Sequence, residues 1–306
     1  MKLSYLILAH TDPPQLSRLI KALDGEDVSF YIHIDRKSSL ETFTSVIKPA
    51  PNVHFLQQRV PVMWGGFSVV EATLLLIRAA LAAGPAFDYA ILLSGLDYPI
   101  KPRRYVLDFF GKHPGRQYLR YASIADNPSL AYKVKYYYFP SIQWPRNHRI
   151  VARLRYKLVR FLLPRRSFLP NLVPYTGSQW WALTKDCLQY VVNYVDEHWE
   201  YAECLCYADI PDETFFHTLV LNSPFGEHTN RNIQVGKWPN VRQPVREAGE
   251  HIKYLDWKSP REKPAILEET DFNMLCKSER LFARKFTTAK SLRLIEKLNA
   301  EVLGKA

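Results

Sequence analysis

Residues 3–95 alternate between short apolar runs and stretches of helical spacing, and this alternation restricts the fold more than any other feature of the chain. "LSYLILAH" (3–10) reads as a central strand. In "TDPPQLSRLIKALDGED" a proline start is followed by Leu16, Leu19, Ile20 and Leu23 at helical spacing, with Gly25 as the stop. "VSFYIHID" (28–35) is a second strand, "VHFLQ" (53–57) a third and "YAILLSG" (89–95) a fourth. Between the last two, "FSVVEATLLLIRAALAAG" predicts a helix ended by Gly84. Strands alternating with helices predict a mostly parallel, Rossmann-like α/β sheet.

In such sheets ligands bind beyond the carboxyl ends of the strands. Polar residues collect there: His10-Thr11-Asp12, Asp35-Arg36-Lys37, Trp64-Gly65-Gly66, and Asp97 in "LLSGLDYPIKP" (92–102). The expectation is that the fourth strand carries Asp97 to a ligand crevice. The second half is less regular. "GSQWWALT" (177–184) reads as a strand and Lys185–Glu197 as a helix. "PDETFFHTLVLNS" (211–223) reads as a helix entered through Pro211, with Asp212 and Glu213 in its first turn. "ERLFARKF" (279–286) and "KSLRLIEKLNAEVL" (290–303) form a basic C-terminal region with a helix.

The net charge of +11 calls for an anionic partner without choosing among nucleotide, nucleic acid and membrane. A nucleic-acid-binding protein would use the same charge, but the aromatics form no RNA-binding motif and the cations leave the strand-end acids unexplained. The four cysteines are too few and too irregular for a disulfide framework, and Cys204-Leu205-Cys206 lacks a second pair for zinc. P-loop, G-x-G-x-x-G, H-E-x-x-H and G-x-S-x-G patterns are missing, as is any Asp-x-Asp of the kind that holds a divalent metal against a diphosphate. What remains is a nucleotide-sized crevice with acids at its rim and cations late in the chain.

In this order, "YLILAHTDP", "YIHIDRKS", "WGGFSVVEATL", "LLSGLDYPIKP", "GSQWWALT", "PDETFFHTLVLNS", "YLDW" and "LFARKF" resemble the core-2/I-branching β-1,6-N-acetylglucosaminyltransferases and peptide O-xylosyltransferases. The ordered set covers most of residues 4–286. The resemblance implies a GT-A-type fold, a UDP-sugar donor, inversion at the anomeric carbon and no metal cofactor. No low-complexity linker or repeat interrupts the chain, so one composite domain, 1–306, is expected, with a nucleotide-binding part (1–105) and an acceptor and catalytic part (106–306).

Displacement at an anomeric carbon needs a base for the acceptor hydroxyl and positive charge for the departing diphosphate. By resemblance Glu213 is the base, with Asp212 as the helix cap. The diphosphate clamp falls to Lys285 and Arg284 in "FARKF", with Arg261 upstream and Lys263 as its rival in "SPREKP". His10 and Asp35, ending adjacent strands, are assigned to uridine, although a buried, satisfied histidine fits His10 as well. Trp64 and Trp181 are stacking candidates for base or sugar, with ordinary core aromatics as the alternative. Asp97 is given to the donor or acceptor, or to fixing its own loop. Where the xylosyltransferases carry an aspartate after Gly-Ser, this chain has Gln179, which is unable to act as a base; Gln179 and Trp181 are placed on the acceptor side.

"RNHRIVARLRYKLVRFLLPRR" (146–166) carries eight Arg or Lys and no acid, with Ile150, Leu154, Leu158 and Phe161 at helical spacing. Such a basic amphipathic helix suits an anionic membrane surface and a lipid-linked glycan acceptor. A helix packed on its own domain is the alternative. The apolar run at the N-terminus is too short for a signal peptide or a membrane span. The animal enzymes carry a membrane anchor and many disulfides. The expectation here is a bacterial, cytoplasmic protein, peripheral at the inner face of the membrane.

Overall fold

The computed structural model describes residues 1–83, 86–139, 149–229 and 252–305; side chains at 149–153, 155 and 156 are outside the description. Gly84, the expected helix stop, and residues 146–148 of the basic segment lie outside the described residues.

The chain opens with β1 (Leu3–Ala9), α1 (Pro13–Leu23), β2 (Val28–Ile34), α2 (Leu40–Thr44), β3 (Val53–Phe55), α3 (Ser68–Ala82) and β4 (Tyr89–Ser94). β5 (Asp97–Pro99), α4 (Arg103–Gly111), β6 (Tyr121–Ser123), α5 (Tyr132–Lys135), α6 (Arg149–Leu162) and β7 (Tyr175–Gly177) follow. Next come β8 (Ala182–Thr184), α7 (Lys185–Glu197), α8 (Trp199–Leu205) and α9 (Phe215–Leu221). β9 (Lys253–Leu255), α10 (Phe272–Lys277), β10 (Phe282–Arg284) and α11 (Thr288–Leu298) complete the description.

Among the described residues the main sheet runs β3-β2-β1-β4-β8. Its first four strands are parallel, and β8 closes one edge antiparallel to β4. This is the expected α/β architecture with a largely parallel central sheet. Strand order reverses between β1 and β4, so the loops after these strands part and leave a crevice. The sheet is covered on both faces, which is why β1 and β4 are nearly continuous apolar runs. On one face Leu6, Tyr31 and Leu92 pack with Leu76 and Ile77 of α3 and Val191 of α7. On the other, Ile7, Phe30 and Ile91 pack with Leu16 and Leu19 of α1 and Phe110 of α4.

A second sheet, β5-β10-β9, joins three distant pieces of sequence. Arg284 stands opposite Asp97 on one side and Leu255 on the other. Beneath it Tyr98, Ile100, Ala283, Phe286 and Leu294 form a separate apolar cluster.

Two sequence expectations change. The stretch 177–184 is not one strand. Its ends belong to different sheets, β7 pairing with β6 and β8 with β4. Gly177 is required here, because a Cβ would lie 1.7 Å from the Arg120 carbonyl oxygen. The helix expected over 211–223 is also broken. Pro211–Glu213 forms a 3-10 turn, Thr214 leaves helical geometry at φ −121°, and α9 starts at Phe215. Asp212 is therefore not the cap of α9; Ile210, in the left-handed region at φ 52°, precedes the turn instead.

Candidate active site

The loops after β1 and β2 and the end of β10 come together around His10, and the loop after β3 joins them through Val62 N, which donates to Asp35. Burial, opposed by Asp35, pulls the His10 imidazole below its ordinary pKa, and Arg284, Lys37 and Lys285 push in the same direction. His10 thus reports a cationic neighbourhood made by residues from both ends of the chain. Asp12, at φ 54°, caps α1 through Gln15 N–H and accepts from the Thr288 backbone and hydroxyl at 2.7 and 2.5 Å. This carboxylate clips the loop after β1 to the start of α11, just beyond Arg284 and Lys285.

Asp35 is nearly enclosed. Its Oδ1 accepts from Lys37 N and Val62 N, and its Oδ2 lies 3.5 Å from Lys37 Nζ. It orders the loops after β2 and β3. Trp64, in the second of these loops, is 72% exposed. Gly65 adopts φ 75°, which a side chain would resist, and its carbonyl accepts from Ile210 N at 3.3 Å. That bond seats the Glu213 turn against the Trp64 loop.

Glu213 stands on this turn with its side chain 35% exposed. Its carbonyl accepts from the Thr176 hydroxyl, tying it to β7. Its Oε2 accepts from Lys133 Nζ at 2.7 Å. Asp212 is enclosed, and burial together with the Glu213 charge raises its pKa to about 7. Arg120 lies within electrostatic reach of Glu213, as do Tyr132 and Asp209.

Arg284 is partly buried, with 17% of its side chain exposed. Its Nη1 is 3.8 Å from Asp97 Oδ1, and its guanidinium carbon is 5.1 Å from the Trp180 ring centroid. Burial lowers its pKa against the pull of Asp97. Lys285, the next residue, is half-buried.

Three of the expected site residues are engaged within the fold. Asp97 has no exposure; it accepts from Ser94 N at 2.7 Å and Lys253 Nζ at 2.5 Å, contacts that tie its loop to a buried cation. Trp181 is wholly buried against Phe216 in the core and is not on an acceptor surface. Trp180 instead faces the cations, with Lys253 Nζ 3.3 Å from its ring centroid, because successive side chains of an extended segment point opposite ways. Arg261 makes a bidentate pair with Asp271 at 2.9 Å and also donates to Ser259, Ile266 O and Asp256. With its donor fork filled, Arg261 clamps the 256–271 loop. Gln179 stays half-buried in the bend between β7 and β8.

Sequence reasoning missed Lys133 and Lys253. Neither has a local signal, since each is distinguished only by a distant carboxylate that folding brings to it. Among the described residues no group of three or more His, Cys, Asp or Glu could hold a metal ion, and no helix is long and apolar enough to cross a membrane.

The structure thus combines a largely parallel α/β sheet, a cationic neighbourhood around His10 at the end of β1, and a part-exposed carboxylate, Glu213, on the turn bonded to the Trp64 loop. Residues 3–275 match the core-2/I-branching enzyme family, and the chain belongs to it. It is similar to xylosyltransferase 2 of Canis lupus familiaris (28% identity) and of Homo sapiens (27%), and to a xylosyltransferase of Ciona intestinalis (26%). Each match covers 99% of this chain and 34% of the relative, so the chain spans about a third of the length of these proteins.

Proposed function

We propose that the chain is an inverting glycosyltransferase that moves a sugar, N-acetylglucosamine or xylose, from UDP to a glycan hydroxyl without a metal. The observations that support it best are a part-exposed carboxylate, Glu213, on the turn bonded to the Trp64 loop, and the Arg284 and Lys285 cations acting on His10 at the end of β1. Glu213 takes the acceptor proton as that oxygen attacks the anomeric carbon from the face opposite the diphosphate. Lys285 and Arg284 neutralise the charge that develops on the leaving group, as a point charge and a fork. His10 and Trp64 border the donor, and Gln179 lies toward the acceptor.

A peptide O-xylosyltransferase-like activity is the second reading, favoured by the xylosyltransferase relatives. Gln179 weighs against it where those enzymes carry an aspartate. The setting proposed is bacterial polysaccharide or surface-glycan synthesis in the cytoplasm, on a lipid-linked acceptor. α6 supports the membrane part of this reading: Leu154, Leu158, Phe161 and Leu162 are 56–85% exposed on a strongly basic helix.

UDP release from UDP-N-acetylglucosamine and UDP-xylose, with and without candidate glycan acceptors and with EDTA present, tests the reading. Glu213→Gln should lower turnover by on the order of 10²–10⁴-fold and leave UDP affinity, by calorimetry, nearly unchanged. Full turnover in Glu213→Gln, or loss of UDP binding in EDTA, would contradict it.

A further inference from the structure

Lys133 is enclosed to within 6% exposure, yet it carries a charge that no motif of the chain explains. It sits on α5, and its position is stitched to the segment that carries Glu213. Asp209 N donates to Lys133 O at 3.4 Å, and Tyr138 N donates to Tyr207 O at 2.7 Å. The ammonium is thereby held under the 207–213 turn, where Nζ reaches Glu213 Oε2 at 2.7 Å.

An ammonium this enclosed is stable only beside an anion. Burial opposes its charge, and Glu213, helped by Tyr132 and Asp209, more than compensates, so the pKa lies above the ordinary lysine value. Arg120, Arg160, Asp209, Asp212 and His217 are the other titratable groups of this neighbourhood. Lys133 contacts the candidate base directly, but it is too enclosed to meet a substrate.

A glutamate has three side-chain torsions, and a base must present one oxygen at hydrogen-bond reach of the acceptor hydroxyl. A bond from a fixed ammonium to one oxygen restricts those torsions and leaves the rest of the half-exposed carboxylate turned to the crevice. We propose that Lys133 is the positioning residue of Glu213. The inference rests on the reading of Glu213 as base.

The test uses UDP release from UDP-N-acetylglucosamine and UDP-xylose with water as the acceptor. In that reaction the anomeric carbon–oxygen bond to UDP breaks, a bond to water oxygen forms, and the water proton passes to Glu213. Four variants are compared: Lys133→Met, Lys133→Arg, Glu213→Gln, and Lys133→Met with Glu213→Gln. Lys133→Met should lose at least about 10-fold in rate, since small displacements of a catalytic group cost up to about 10²-fold, and its calorimetric affinity for UDP should stay at the wild-type value. The double variant should be no slower than Glu213→Gln within about threefold, because a residue that acts only through Glu213 has nothing left to position. Lys133→Arg keeps the charge but lengthens it, and should fall between wild type and Lys133→Met. If Lys133→Met does not fold, Lys133→Arg decides, with a severalfold loss of rate at unchanged UDP affinity expected. A wild-type rate in the folded Lys133 variants, or losses that multiply in the double variant, overturns the proposal while the Glu213 reading stands. A wild-type rate in Glu213→Gln removes both.

Discussion

Lys253 and Asp97 form an ion pair in which neither side chain has any exposure, with Nζ donating to Oδ2 at 2.5 Å. The pair joins β9 to β5 across β10 and sits beneath the Trp180 ring, beside Arg284. Burial pulls the Lys253 ammonium below the usual lysine range, and Asp97 opposes that pull. Asp97, at the start of β5, therefore holds the cations Lys253 and Arg284 close together.

Asp97→Asn should destabilise the protein by roughly 3–5 kcal/mol, since it leaves a buried ammonium without its counter-charge. It should also weaken UDP, because Arg284 loses the carboxylate that holds it. Urea unfolding and calorimetry measure the two effects; an unchanged unfolding midpoint would show that the pair contributes little.

Lys285→Ala should weaken UDP binding much more than uridine binding, because the contact proposed for Lys285 is to phosphate. Arg261→Ala, by contrast, should lower stability through its Asp271 clamp and leave UDP affinity close to wild type. Equal losses for UDP and uridine in Lys285→Ala would place the lysine away from the diphosphate.

Asp212 produces a pH signature with a definite sign. Its folded pKa of about 7 lies above the ordinary aspartate value of 3.8, so between those pH values the folded protein holds a proton that the unfolded chain has released. Folding is therefore favoured by acid across that window, and this contribution is lost as pH rises toward 7. Asp212→Asn lacks the effect. Its stability relative to wild type should increase by on the order of a few kcal/mol between pH 4.5 and 7.5. Urea melts at the two pH values check it, and a pH-independent difference would count against protonated Asp212.

Lys157→Gln with Leu158→Ser and Phe161→Ser should release the protein from phosphatidylglycerol vesicles at low salt without altering UDP affinity. Flotation measures the first and calorimetry the second. Wild type that fails to float with these vesicles would refute the membrane reading of α6.

The parallel sheet was legible in the sequence because buried strands and amphipathic helices carry their periodicities locally. Leu16, Leu19, Ile20 and Leu23 face one side of α1 whatever lies elsewhere in the chain. The positions of His10, Asp35 and Trp64 at strand ends followed from the same alternation. Tertiary structure decided what distant residues do to one another. Asp97, Trp181 and Arg261 each had a residue type suited to a ligand, and folding placed a lysine, a core and an aspartate against them instead. Lys133 and Lys253 acquired their importance in the reverse way, from carboxylates 80 and 156 residues distant. Charge and hydrogen-bonding act through space, so their partners depend on how the sheets pair, which local pattern does not record.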